Sequence, residues 1–133
     1  MNRRMLSRED EITAETPVTL SDQKAINTFS TLHSRHTILL STLSTKQTEK
    51  EYLTDVTSEL ELSDDDDKVP YKIGDAFVSL RVEEVRELLE EEIRVIDEEI
   101  EELEGRVREE KGKMDELKVV LYAKFGKSIN LEA

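Results

Sequence analysis

The stretch VEEVRELLEEEIRVIDEEIEELEGRVREEKGKMDELKVVL, residues 82–121, decides the fold. Ile93, Ile100, Val107, Met114 and Leu121 recur every seven residues, and Leu89, Ile96, Leu103 and Leu117 occupy a second position of the same repeat, broken only at Glu110. Beta-branched residues at the first position, ahead of Met114 and Leu121, with leucine common at the second, let a helix insert knobs into the holes of a partner helix. The stretch also carries 16 acidic and 7 basic side chains. Glu90/Arg94, Glu102/Arg106, Glu104/Arg108 and Glu109/Lys113 stand in the favourable four-residue order, each worth about 0.2–0.5 kcal/mol, which softens the charge excess without removing it. Gly105 and Gly112 fall away from the seam, where each costs about 1 kcal/mol relative to Ala.

A second series lies upstream. Phe29, Leu32, Leu39, Leu43, Leu53 and Leu60 fall on two positions of one heptad, widened by Ile26, Leu40 and Val56. Thr19 or Ser21 can cap this helix, and Asp22 suits its first turn. His36, Lys46, Lys50 and Thr57 are poor seam residues, of the kind that fix register or mark a stretch where helices separate. Together with the Ser/Thr-rich middle (Thr37, Ser41, Thr42, Ser44, Thr45, Thr48), they make the first helix the less self-sufficient one. Two helices of about 40 residues, each about 60 Å long at 1.5 Å per residue, are matched arms of an antiparallel coiled-coil hairpin. The fold class is therefore mainly α, with a disordered tail at 1–18, a first helix at 19–62, a connection at 63–81, a second helix at 82–125 and a C-terminal tail at 126–133.

The connection is more than a linker. After the acidic break at Asp64 to Asp67, the run VPYKIGDAFVS at 69–79 places short β-prone segments on either side of Gly74-Asp75, which predicts a β-hairpin. Two strands alone are marginal, and Tyr71, Ile73, Phe77 and Val78 leave apolar surface open unless other strands join them. Those four residues are the expected oligomerisation element.

Composition narrows the function. The chain has 133 residues, 32 acidic against 19 basic for a net charge of -13, 36% hydrophobic, 5% aromatic and no Cys. Such a composition supports a narrow seam more readily than a broad core, and repels nucleic acid and anionic membranes in the absence of a basic stripe. The first residues lack the apolar stretch of a signal peptide or spanning helix, so a soluble intracellular chain is expected. The Asp64 to Asp67 run lacks the spacing, central Gly and terminal Glu of an EF-hand and reads as a solvated break. His33 and His36 have helical ligand spacing but no completing motif, so no metal is expected. Carboxylates dispersed along exposed helix faces, without a phosphate loop or nucleophile set, argue against an enzyme and against a cofactor.

The far ends of the arms hold the other candidate site. Ile26, Phe29 and Leu32 would lie beside Leu117, Leu121, Tyr122 and Phe125. Some of them can close the coiled coil, while others at fraying helix ends expose an apolar patch that grips a nonnative chain, and both accounts can hold for different residues.

QTEKEYL at 47–53, YKIGDAFV at 71–78, and LYAKFG at 121–126 with Ile129-Asn130-Leu131 resemble, in this order, the beta-class, single-hairpin subunits of prefoldin. The resemblance runs from about Thr19 to Leu131. It implies a heterohexamer of two alpha-class and four beta-class subunits, with strands joined in a double β-barrel platform and arms projecting as tentacles. It also implies an ATP-independent holding chaperone, cytoplasmic with the nucleus as a second location, that captures nonnative actin, tubulin and similar clients and delivers them to the cytosolic group II chaperonin. Tyr71, Ile73, Phe77 and Val78 then belong to the platform, and Ile26, Phe29, Leu121, Tyr122 and Phe125 to the client-binding tip. Holding is multivalent, since several weak tips tethered to one platform act together on one unfolded chain. A reading from another class is an adaptor coiled coil, which expects folded partners along the arms rather than nonnative chains at the tips.

Overall fold

A computed structural model describes residues 17–126, 129 and 131; the expected tail at 1–18 lies outside the described residues except for 17 and 18, as does most of 127–133. Four elements follow one another: α1 (Leu20–Leu60), β1 (Lys68–Ile73), β2 (Ala76–Arg81) and α2 (Val82–Phe125).

Each helix terminus is explained by its residues. Thr19, rather than Ser21, opens α1: its N–H donates to Asp22 Oδ2 at 2.9 Å and its Oγ1 accepts from the Asp22 N–H at 3.1 Å. This reciprocal pair satisfies two donors that a helix start otherwise leaves bare. Lys124 and the Thr19 amide hold the Asp22 carboxyl below its ordinary range. In the Ser/Thr-rich middle, the hydroxyls of Thr37, Thr45 and Thr48 donate to carbonyls four residues back at 3.0–3.1 Å, so they serve the helix's own backbone. Glu83 and Glu84 in the first turn of α2 and Lys124 in its last turn oppose the helix dipole. Gly126, at φ 61, takes the left-handed conformation that ends a helix cheaply only for glycine.

Among the described residues, packing divides into two units, one formed by those up to Leu39 and from Arg106 onward, the other by Leu40–Gly105. In the first, the terminal unit, the Lys124 ammonium pairs with Asp22, placing the end of α2 beside the start of α1. Its core unites Ile26, Phe29 and Leu32 of α1 with Met114, Leu121 and Phe125 of α2, and with Ile129 and Leu131 beyond it. Two seam residues there are polar, and the buried Nδ1 of His36 and Oε2 of Glu110 have no hydrogen-bond partner. Fourteen residues inward from the Asp22–Lys124 pair along each helix, His36 stands level with Glu110.

In the second, the connection unit, Val82, Val85, Leu89 and Ile96 are buried. Lys46 and Lys50 interrupt the seam of α1 and reach Glu99 at 2.8 Å and Asp97 at 2.6 Å on α2. The order of those pairs makes the helices antiparallel here. The hydrogen bond to Glu99 raises the pKa of the Lys46 ammonium. Exposed pairs contribute only about 0–1 kcal/mol, so their main effect is choice of register. On the α2 surface Lys113 bonds Glu109 at 3.4 Å as the spacing predicts, whereas Arg94 turns from Glu90 to Glu91 and Glu98.

The sheet has two antiparallel strands, with Tyr71 opposite Val78, Lys72 opposite Phe77 and Ile73 opposite Ala76. The turn is the two residues Gly74-Asp75, and Gly74 at φ 62 supplies the positive φ that such a tight hairpin requires.

Candidate functional site

The hairpin is positioned by polar bonds that the sequence pattern does not announce. Arg86, one turn into α2, sends Nη2 to the carbonyl oxygens of Leu60 at 2.8 Å and Ser63 at 3.2 Å, and Nη1 to the Asp65 carboxylate. A helix leaves its last carbonyls unsatisfied, so this one guanidinium caps α1 and fixes where the chain leaves it. The acidic run, expected to be only a solvated break, has a second task. The Asp67 carbonyl accepts from the Val82 N–H at 2.8 Å and the Asp65 carbonyl from the Glu83 N–H at 3.2 Å. The run thereby satisfies the first donors of α2 and carries negative charge to the positive end of its dipole.

The four hairpin residues do not share one face. Successive side chains alternate across a sheet, so the paired Tyr71 and Val78 lie on one face with Ile73, and Phe77 lies on the other. Ile73, Phe77 and Val78 are 55%, 69% and 40% exposed, while Tyr71 is half-buried. The Tyr71 hydroxyl donates to the Glu92 carboxylate of α2, and that hydrogen bond, aided by partial burial, pushes the phenol pKa up to about 12. Tyr71 is thus a tether as well as an apolar surface. Beneath the strands, Leu53, Val56 and Leu60 face Val69, Tyr71 and Leu89 across an open cleft of about 490 Å³.

The terminal unit brings Ile26, Phe29, Leu121 and Phe125 into one cluster, with Tyr122 packed against it. Their arrangement differs from helix ends that part to expose an apolar patch: Phe29 is 3% and Leu121 1% exposed. The physical reason is the segment after α2. Ile129 and Leu131 bury themselves on the same cluster, and the Leu131 main-chain N–H donates to the Tyr122 hydroxyl at 3.1 Å. Among the described residues, the exposed apolar side chains of this unit are instead Val18, Leu20, Ile38, Val119 and Val120. The Lys118 ammonium stands 5.9 Å from the Phe29 ring centroid and that of Lys124 5.6 Å from Phe125, so cations flank the cluster.

Sequence reasoning missed Arg86, Val119 and Val120, and did not assign Ile129 and Leu131 to the core. For Ile129 and Leu131 a signal existed, an aliphatic pair two residues apart just beyond a helix-ending glycine. For Arg86 there was none, because its partners are main-chain carbonyls. Among the described residues, no group of three or more His, Asp or Glu side chains could hold a metal ion, and no helix is long and apolar enough to cross a membrane.

Known proteins share this design. The family model for prefoldin subunits matches residues 23–128. Prefoldin subunit 4 of Saccharomyces cerevisiae is 45% identical over 117 residues, covering 88% of this chain and 91% of that one. Prefoldin subunit 4 of Homo sapiens is 44% identical over 117 residues, covering 87% of each. In fold, the crystal structure of the prefoldin beta subunit from Thermococcus strain KS-1 superposes with a TM-score of 0.77 at 16% identity, covering 84% of this chain and 97% of that one. With two long helices joined by a short antiparallel hairpin, and with relatives at these identities along most of its length, the chain belongs to the prefoldin family of chaperone subunits.

Proposed function

We propose that this chain is one of four beta-class subunits that join two alpha-class subunits in a heterohexamer, an ATP-independent holding chaperone of the cytoplasm, with the nucleus as a second location. Tyr71, Ile73, Phe77 and Val78 contribute to its β-barrel platform. Ile26, Phe29, Leu121, Tyr122 and Phe125 form a tip that captures nonnative actin-like and tubulin-like chains for delivery to the cytosolic group II chaperonin. The chain acts by holding rather than by catalysis.

The observation that carries this reading is the hairpin. A lone two-stranded sheet is marginal in water, and this one exposes more than half of both Ile73 and Phe77. Exposed apolar side chains on a sheet with free edges favour strand addition by other chains, which removes the edges and the apolar surface together. A charge of -13 keeps such a chain soluble and attracts basic client segments.

Reconstitution with alpha-class and beta-class partner subunits, followed by native mass measurement, tests the assembly. The 15.4 kDa chain should appear in a six-subunit species. A chain that stays alone with every partner combination would overturn the reading. Photo-crosslinking from positions 29 and 125 during capture of a denatured actin-like chain tests the tip, and crosslinks only to folded proteins at mid-helix would favour an adaptor instead.

A further inference from the structure

The segment that follows α2 is seated where the tip would hold a client. Ile129 and Leu131 are 5% and 2% exposed, as buried as the helix residues they cover. Neither lies in a helix or strand, so no backbone ladder holds them there. Among the described residues, both side chains are buried on the apolar cluster, and the Leu131 main-chain N–H donates to the Tyr122 hydroxyl at 3.1 Å. Leu131 also lines a cleft of about 240 Å³ with Phe29, His33, His36 and Met114.

These are the features of a bound peptide. A main-chain N–H is offered by every residue except proline, so a hydroxyl that accepts from it reads backbone without reading sequence. Aliphatic side chains supply affinity through buried area alone. A holding site for many different nonnative chains needs both properties.

We propose that the groove formed by Phe29, Leu121, Tyr122 and Phe125 takes nonnative segments bearing two aliphatic side chains two residues apart, and that the chain's own Ile129 and Leu131 occupy it until such a segment displaces them. This rests on the tip-capture reading above and adds to it the ligand class and a competitor. The competitor is tethered only a few residues from Gly126, so its effective concentration is of the order of mM. A single free segment therefore meets a groove that is only fractionally open, and its apparent affinity falls by that fraction. Folded proteins offer no free pair of aliphatic residues and are passed over. A nonnative chain that reaches several tips at once gains enough avidity to displace several tails. Between clients, the tail keeps the tip from presenting apolar surface to other complexes.

The test uses the assembled complex containing the full chain. The probe is the labelled hexapeptide Ser-Ile-Asn-Leu-Glu-Ala, the sequence of residues 128–133, with a control peptide carrying Ser at both aliphatic positions. Ile129→Ser/Leu131→Ser should bind the hexapeptide about three- to tenfold more tightly than the unaltered chain, as removal of a tethered competitor requires. The control peptide should bind neither. Equal affinity for the hexapeptide in both complexes would overturn the proposal.

A measurement without substitutions guards against a variant that merely loosens the tip. Saturating hexapeptide, or a denatured reporter chain, should speed exchange of the Leu131 amide hydrogen several-fold in the unaltered complex, and unchanged exchange would overturn the proposal. A photo-crosslinker at the exposed Ala123 separates this failure from that of its premise. If the denatured reporter crosslinks there in neither complex, tip capture itself falls. If it crosslinks equally in both and Leu131 exchange is unmoved, only the tail's occupancy falls.

Discussion

In the terminal unit Phe29 and Leu121 keep 3% and 1% of their surface exposed, whereas in the connection unit Ile73 and Phe77 keep 55% and 69%. The first unit gathers side chains from both helices and from the segment after α2, and it covers the cluster around Phe29 and Leu121. The second also buries Val82, Val85, Leu89 and Ile96, but its hairpin is oriented by polar bonds: the Arg86 cap, the Asp65 and Asp67 carbonyls on α2, and the Tyr71–Glu92 tether. The hairpin's apolar side chains are therefore free to face outward. Apolar contact closes the terminal cluster, while on the hairpin it is left for partners.

The largest expected effect breaks the comparison at the connection. Phe77→Asp puts a charge on a surface meant to be dried by other strands, at a cost of several kcal/mol. Assembly with partner subunits should weaken by at least about 100-fold, since each 1.4 kcal/mol is a factor of ten. Phe77 is exposed in the chain alone, so helicity by circular dichroism should hardly change. Intact assembly, measured by size and mass, would remove the hairpin from the interface.

The reverse substitution site is Leu121. Leu121→Ala deletes a side chain that is 1% exposed, and burial of that degree predicts a loss of about 2–5 kcal/mol, depending on how far the cavity collapses. Hydrogen exchange should accelerate at the start of α1 and the end of α2 and stay unchanged at Val82 to Leu89. An effect spread evenly over both regions would show that the two units do not pack independently.

Arg86→Met probes what orients the hairpin at the connection. It keeps much of the apolar stem and removes the donors to Leu60, Ser63 and Asp65. Hydrogen bonds to a charged group contribute about 1.5–3 kcal/mol. The last turn of α1 should fray and the strands lose exchange protection, with the terminal unit unaffected.

How much of this was legible in the sequence follows the same division. The heptads of Leu89 to Leu121 and of Phe29 to Leu60 place the helices because apolar side chains at repeating positions have one use on a helix. Gly74-Asp75 places the turn because few residues tolerate its φ. The bonds that orient the hairpin were not legible. Arg86 binds carbonyl oxygens, which every residue carries, and the Asp64 to Asp67 run acts through main-chain oxygens as well as charge. Tyr71 and Phe77 could be picked as strand residues, but their separation onto opposite faces depends on register. At the other end, composition marks Ile26, Phe29, Leu121 and Phe125 as apolar without saying what covers them. Their cover comes from Ile129 and Leu131, beyond the end of the periodic pattern.

A smaller effect sharpens the terminal unit. His36 and Glu110 stand level in its seam, each with a buried polar atom that lacks a partner. Such an atom costs about 1–3 kcal/mol, and an apolar pair of similar size removes that cost. His36→Leu with Glu110→Leu should raise resistance to denaturant in the terminal unit, with each single change giving part of the gain. A loss of stability would mean that the two groups pair in solution.

The smallest effect is the most specific, because it reads one bond by its proton. Tyr71 donates to Glu92 only as the neutral phenol, and its pKa is raised from 10.0 to about 12 by that bond and by partial burial. The tether's contribution is therefore complete below pH 10.0, where the unfolded phenol is also protonated, and is lost as pH rises through about 12. Tyr71 remains partly exposed, so the bond contributes less than about 1 kcal/mol after solvent screening. Tyr71→Phe should speed exchange of the strand amides at neutral pH without altering the terminal unit. Its tyrosinate absorbance titration, subtracted from that of the unaltered chain, should isolate a component displaced to high pH. A component titrating at the ordinary tyrosine value would mean that Glu92 does not hold Tyr71, leaving Arg86 and the acidic run to orient the hairpin.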